Sequence, residues 1–417
     1  MILALLIAGG TYALVDLARD PSIDPAIAGF MIPFTVLAIA AHIAIRRFAP
    51  AADPLLFAIG VLLSGFGYGL IRRLDPDLAA TQLGWIAVGM AAFIATLALI
   101  RDHRKLEQFR YTLMVVGIVL LLLPLTPIGT DLGRSARLWV KLGPLSFQPA
   151  EAAKIVLAVF LAGYLAQKRE VMTLTVARIG PLHLPAPRHF GPLLLAWGLS
   201  LAIMFYQRDL GSSLLFFSLF VITLYAATAR GTYALVGFGL FGGGVWIAYD
   251  RFAHVRARVA DWLNPWPNID GSGRQIVQSA FALGTGGLSG VGLGLGSPTF
   301  IDPGLRSGTL PTDFIFAAIG EELGLLGTTA ILLMFVLIVA RGLHIALRSR
   351  DPFGTLLAAS LTTIIGLQAF LIMGGVSRLV PLTGITLPFV SYGGSSIVAN
   401  WVLLALLMRV SDTEATR

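Results

Sequence analysis

The chain has 417 residues, 56% hydrophobic and 12% charged, with no cysteine and a formal net charge of +8 at pH 7. Soluble domains carry roughly 25% charged residues, so a mean hydropathy of +0.83 excludes an ordinary soluble fold and points to a membrane protein. The basic surplus is scattered between apolar runs instead of gathered on one face, which argues against nucleic acid as the partner.

In chain order, twelve runs are apolar over about the 18 residues that a helix needs to cross a hydrocarbon core, allowing for a few short ones. They cover residues 2–17, 26–45, 54–71, 81–100, 110–126, 149–166, 190–206, 212–228, 232–249, 316–341, 354–375 and 393–409. No positively charged segment or clear small-residue cleavage site marks the first run as a signal peptide, so it is expected to stay. Alternate loops hold Arg46 and Arg47, then Arg101, Arg104 and Lys105, then Lys168, Arg169, Arg178 and Arg188, then Arg230, then Arg341, Arg348 and Arg350, then Arg409 and Arg417. Excess Lys and Arg marks cytoplasmic loops, which places both termini inside. Arg72 and Arg73 fall on the opposite side, with Asp75 and Asp77 beside them.

The expected fold is one all-α polytopic domain of about twelve transmembrane helices, with one large extracytoplasmic loop at 250–315 and no disulfides to support it. In that loop, residues 261–268 (DWLNPWPN) read as a turn with two tryptophans at the membrane interface. The next segment starts as a short amphipathic helix and then becomes glycine-rich, with seven glycines from Gly284 to Gly296. It has no GxxxxGK[ST] and no preceding strand, so a re-entrant or interfacial segment is favoured over phosphate binding.

Four polar clusters interrupt the outward ends of the runs. In residues 135–154, Gln148, Glu151 and Lys154 recur at spacing three, and on a helix starting near Pro149 the last two share a face and can pair. In QRDLGSS (207–213), Asp209 either caps the next helix or lines a cavity. The stretch LPTDFIFAAIGEELG (310–324) carries Asp313, Glu321 and Glu322 into an apolar run. Residues 377–396, with Arg378 and Ser391, are broken by proline and glycine, which at membrane depth is tolerated only in a cavity wall or a protein interior. Ionisable residues at such depth are functional candidates, so a shared outward-facing polar cavity is favoured over separate ion pairs. The six histidines lack zinc-site spacing, and no GxSxG elbow is present.

The ordered set of Trp139 with QPAEAAK (148–154), QRDLGSSLLFF (207–217), TDFIFAAIGEELG (312–324) and PLTGITLPFVSYGGSS (381–396) resembles the SEDS family, which includes RodA, FtsW and SpoVE. The resemblance runs from about residue 54 to the end and implies a ten-helix core that polymerises lipid II into peptidoglycan strands beside a class B penicillin-binding protein, in the bacterial cytoplasmic membrane. Residues 1–50 are then two additional N-terminal transmembrane helices and 51–417 the SEDS glycosyltransferase domain. By resemblance, Asp313 matches the aspartate essential for glycosyl transfer, Glu151, Lys154 and Asp209 match cavity residues, and Arg137 and Trp139 match a basic and aromatic pair in the preceding loop. Departures are Leu138 where a second arginine is common, QRDLG for the commoner QPDLG, and Pro311 where many members carry histidine.

Glycosyl transfer between lipid-linked sugars needs a base for the acceptor hydroxyl and positive charge for the departing pyrophosphate. Asp313 is the expected base, and Lys154, Arg137, Arg208 and Arg378 are the available cations. No cofactor is certain, although Asp209 and Asp313 could together hold Mg²⁺ or Mn²⁺. Glu321 lies eight residues from Asp313 and is expected to face the cavity, with Glu322 packed elsewhere. The short C-terminal tail, Val410 to Arg417, leans toward an elongation role like that of RodA over a division role like that of FtsW. The competing readings are a lipid II flippase, which would tend to show inverted repeats and acids on both faces, and a noncatalytic scaffold, which would leave the carboxylates without a purpose.

Overall fold

The computed structural model describes residues 1–18, 25–130, 137–143, 145–173, 177–179, 182–184, 191–297 and 309–415. Arg188, His189, Arg417, residues 135–136 and residues 298–308 of the large loop lie outside them. The chain is a polytopic all-α membrane protein. Nine of its described helices are long and apolar enough to cross a membrane, and three shorter apolar helices complete the set of predicted runs.

Helices α1 (Ile2–Leu17) and α2 (Ala26–Phe48) lead into α3 (Pro54–Leu74) and α4 (Pro76–Leu99). Proline at the first position and a capping aspartate start both of the latter: Asp53 accepts from Leu55 N, and Asp75 from Asp77 N and Leu78 N. A short α5 (Lys105–Gln108) precedes α6 (Arg110–Leu122). The segment that follows forms an antiparallel sheet of β1 (Gly129–Thr130), β2 (Trp139–Leu142) and β3 (Leu145–Phe147), in which Thr130 faces Trp139 and Lys141 faces Ser146. After α7 (Pro149–Thr173), a hairpin of β4 (Ala177–Ile179) and β5 (Leu182–Leu184) leads to α8 (Gly191–Tyr206), α9 (Leu210–Thr228) and α10 (Gly231–Arg251). Neither sheet was expected, because strands of two to four residues are too short to show alternation.

The large loop is more ordered than a connector. It contains α11 (Ala253–Leu263), α12 (Arg274–Gly286) and a single turn, α13 (Leu310–Asp313). Helix α14 (Ile315–Arg348) then runs to α15 (Pro352–Val376) and α16 (Gly394–Ala415). The predicted amphipathic helix is α12, and the glycines after it dock on α14. Val291 N and Gly292 N donate to Glu321 O and Glu322 O, while Leu325 N and Leu326 N donate to Gly287 O and Leu288 O. Those bonds need a break in α14, which Gly324 supplies at φ 63° and ψ −160°. A β-carbon at residue 324 would run into the backbone of Leu288 and Gly290. Gly324→Ala is therefore expected to lower stability by at least about 1–3 kcal/mol, read as a fall in thermal unfolding temperature in detergent; unchanged unfolding would mean the break is not required.

Trp401 of α16 is fully buried among Phe57, Phe93 and Phe389, with ring centroids 5.3 to 5.9 Å away. Tyr68 of α3 stacks on Phe30 of α2 at 3.7 Å and on Tyr12 of α1 at 6.4 Å, so α1 and α2 share the core of the bundle. At one end of the bundle, buried Arg409 donates to Phe48 O at 2.6 Å and to Asp412, tying α16 to α2. The predicted basic loops before α5 and after α14 meet the end of α16 there, as Arg104 faces Glu414 and Arg350 N donates to it.

Arg72 and Arg73, the exceptions to the expected loop-charge pattern, both have structural contacts. Arg72 lies 4.6 Å over the Tyr12 ring and 3.7 Å from Asp16. Arg73 pairs with Glu322 at 3.3 Å and donates to Gly296 O at 2.6 Å.

Candidate active site

At the other end of the bundle, a cavity of about 330 Å³ is lined by Trp85, Leu138, Trp139, Gln148, Glu151, Asp209, Thr312, Asp313 and Tyr392, among others. Such a volume lies in the range of ordinary ligand pockets, roughly 300–1,000 Å³. All four polar clusters contribute to its wall.

Asp313 ends α13 and immediately precedes α14. From Leu310 to Glu322 every residue is buried except Asp313, which is half-exposed. The chain around it is held from behind: Ser391 Oγ donates to Thr312 O at 2.6 Å and accepts from Leu387 N at 2.9 Å, and Tyr392 N donates to Pro311 O at 2.9 Å. Gln82 of α4 in turn accepts from Gly393 N at 3.3 Å. Ser391 thus positions the aspartate and does not line the cavity. Ser391→Ala leaves Thr312 O and Leu387 N with one partner fewer, and is expected to cost about 1–3 kcal/mol of stability and to lower kcat with little change in KM. A variant with wild-type kcat would remove Ser391 from the support of Asp313.

Glu151 and Lys154 pair as their spacing predicts. Lys154 Nζ donates to Glu151 Oε2 at 2.6 Å and to Gln368 Oε1 of α15 at 2.8 Å. Glu151 reaches the cavity, and the fully buried Lys154 sits behind it. Gln148 lies at the rim, its N–H donating to Ser395 Oγ at 2.8 Å. Asp209 does both jobs considered for it, capping α9 through Ser212 N at 2.9 Å and facing the cavity. Burial pushes its carboxyl above the ordinary carboxylate range, against the hydrogen bonds from Ser212 and the field of Arg258. Preceding it, Arg208 adopts φ 62°, which a proline cannot, so this turn has a geometry that the commoner QPDLG form cannot share.

Glu321 and Arg378, like Ser391, were expected in the cavity and lie outside it. Glu321 does not line the cavity: its Oε1 accepts from Ser297 N at 2.8 Å, while Glu322 accepts from Gly294 N at 2.8 Å, so both acids hold the glycine segment. The eight-residue spacing fails because the helix is interrupted at Phe314, between Asp313 and α14. Arg378 donates to Trp262 O and Leu263 O at 3.0 and 3.1 Å, fastening α11 to the segment before α16. Arg137 is exposed beside the rim residues Leu138 and Trp139.

Sequence reasoning missed Trp85, Tyr392, Thr386 and Arg258. Trp85 sits within an apolar helix with no local signal, and Arg258 comes from the loop helix α11. Burial, Arg258 and Arg208 together hold the imidazole of His254 below its usual range, which marks a basic cluster beside Asp209. Among the described residues no three of His, Cys, Asp and Glu converge as metal ligands. Asp209 and Asp313 are two cavity carboxylates that would meet a hydrated cation carried by a pyrophosphate.

A family model described as cell cycle protein, FTSW_RODA_SPOVE, matches residues 67–416. The peptidoglycan glycosyltransferase RodA of Mycobacterium tuberculosis (strain ATCC 25618 / H37Rv) is 42% identical over 408 residues, covering 95% of this chain and 86% of that protein. Its namesake from Mycobacterium leprae (strain TN) is 42% identical over 420 residues, covering 98% and 88%. A solved chain from a peptidoglycan synthase complex, studied for coordination of polymerization and crosslinking, has the same fold with TM-score 0.70, 23% identity and coverage of 87% of this chain and 98% of that one.

Proposed function

We propose, from the premise that this chain belongs to the FtsW, RodA and SpoVE family and is a peptidoglycan glycosyltransferase, that the cavity joins lipid II units with Asp313 as general base. The observation that carries this is the presentation of Asp313 as the half-exposed carboxylate of an otherwise buried frame, on a cavity it shares with Glu151 and Asp209. The acceptor sugar hydroxyl attacks the donor's anomeric carbon, the bond from that carbon to the lipid pyrophosphate breaks with inversion, and the hydroxyl proton passes to the Asp313 carboxylate. The leaving pyrophosphate gains negative charge, and the exposed Arg137 and Arg208 with Arg258 are the cations we assign to it. Lys154 and Arg378 are each held by two internal acceptors at 2.6 to 3.1 Å, whereas Arg258 meets one, Leu382 O, at 3.4 Å.

The cavity end is the outer face of the cytoplasmic membrane in this reading, with both termini inside; clustering of the basic loops around α16 at the other end supports it. Residues 1–50 are assigned as an N-terminal addition to the glycosyltransferase domain at 51–417, since the family model begins only at residue 67. Identity to RodA proteins favours an elongation role. A transpeptidase of the class B penicillin-binding type is the assigned partner, by analogy with the solved synthase complex.

Purified protein supplied with labelled lipid II, with and without such a partner, tests the reading. Glycan polymer is the expected product; absence of polymer together with transfer of lipid II across vesicles would replace the polymerase by a flippase.

A further inference from the structure

We propose that a second cavity, at the end of the bundle away from Asp313, binds the headgroup of an anionic phospholipid. The cavity measures about 520 Å³ and is walled by the start of α3 and the ends of α14 and α16. Arg341, His344, Arg348 and Arg350 supply its basic side, and Asp53 and Glu414 its acids.

The acids at this end are already engaged. Asp53 caps α3 through Leu55 N and holds Arg341, and Glu414 accepts from Arg350 N at 3.0 Å and faces Arg104. Asp351 faces His103 and Arg104 and caps α15 through Gly354 N, while Asp412 pairs with Arg409 and accepts from Ala51 N. Among the described residues, the guanidinium groups of Arg348 and Arg350 are therefore left without a carboxylate. Both are exposed, on a cavity of headgroup size.

Leu343 and Leu347, beside His344 and Arg348 on α14, are 44% and 85% exposed, and the exposed face continues through Leu332, Leu333 and Val336. In a membrane-spanning helix such a face meets acyl chains. A molecule that satisfies both features has a negative phosphate for the arginines and hydrocarbon for the leucines, which favours a phospholipid over free phosphate. The lipid would join α3, α14 and α16 at the point where their ends meet.

Native mass spectrometry in neutral detergent tests this, with phosphatidylglycerol and phosphatidylcholine of identical tails supplied together. Wild-type protein is expected to retain one phosphatidylglycerol with at least about tenfold preference, and Arg348→Gln/Arg350→Gln to weaken that retention by about 30-fold, as loss of two charges near an anionic group implies. Arg251→Gln, at the other end, should leave it unchanged. Equal retention of the two lipids by the wild type would overturn the proposal without reference to any variant's folding. Undiminished retention by the double variant would overturn it too, and displacement of the lipid by millimolar inorganic phosphate would reassign the cavity to a free anion. The glycosyltransferase reading is untouched by each result, since lipid II is absent from the assay.

Discussion

Asp313→Ala protein given labelled lipid II is expected to polymerise it at least about 10²–10⁴-fold more slowly than wild type, the usual worth of a positioned general base. Its thermal unfolding should stay close to the wild-type value, because Asp313 is the partly exposed residue of its segment and the bonds that hold the segment run through the carbonyls of Thr312 and Pro311. Asp313→Asn sharpens the test. The amide keeps size and hydrogen bonding but cannot take a proton, so a base predicts that Asn is as inactive as Ala, whereas a group that only orients substrate predicts substantial activity for Asn. Recovery of the Ala variant by raised pH, where the acceptor hydroxyl is more readily deprotonated by hydroxide, would support the proton-transfer role. Wild-type rates for Asp313→Ala would end the assignment and shift attention to Glu151 and Asp209, the other cavity carboxylates.

Much of this architecture was legible from residues that act locally. Apolar length located the spans, and Pro54, Pro76 and Pro352 after aspartate started helices where the capping rule puts them. The Glu151 and Lys154 pair followed from a three-residue spacing that a continuous helix preserves. The same reasoning failed for Glu321 because a helical period carries a direction only while the helix is unbroken, and here Phe314 interrupts it between Asp313 and Glu321. Arg73 was illegible for a different cause. Its sign invites a topology argument, but its partner Glu322 lies far along the chain and no local pattern links them. Their pair, with the Gly294 amide on Glu322 and the Ser297 amide on Glu321, makes GEELG a clamp on the segment that leads toward Asp313 rather than an extension of the cavity.

Lys154→Ala is the second large expected effect, and it separates support from chemistry. The ammonium is 1% exposed and supplies a partner to both Glu151 Oε2 and Gln368 Oε1. Removing one member of a buried pair leaves the other charge uncompensated, at about 3–5 kcal/mol, so the variant should unfold at a markedly lower temperature and lose activity with it. Replacing both charges removes that penalty: Glu151→Gln/Lys154→Met should recover most of the stability, because two desolvated charges are exchanged for groups of similar volume. Activity then becomes decisive. If Glu151 helps hold lipid II in the cavity, the stable double variant remains a poor enzyme, with the deficit in KM or kcat; if it polymerises like wild type, the pair is structural and the chemistry belongs to the remaining carboxylates. A Lys154→Ala protein as stable as wild type would show instead that Glu151 turns into the cavity and finds water, making the pair dispensable to the fold.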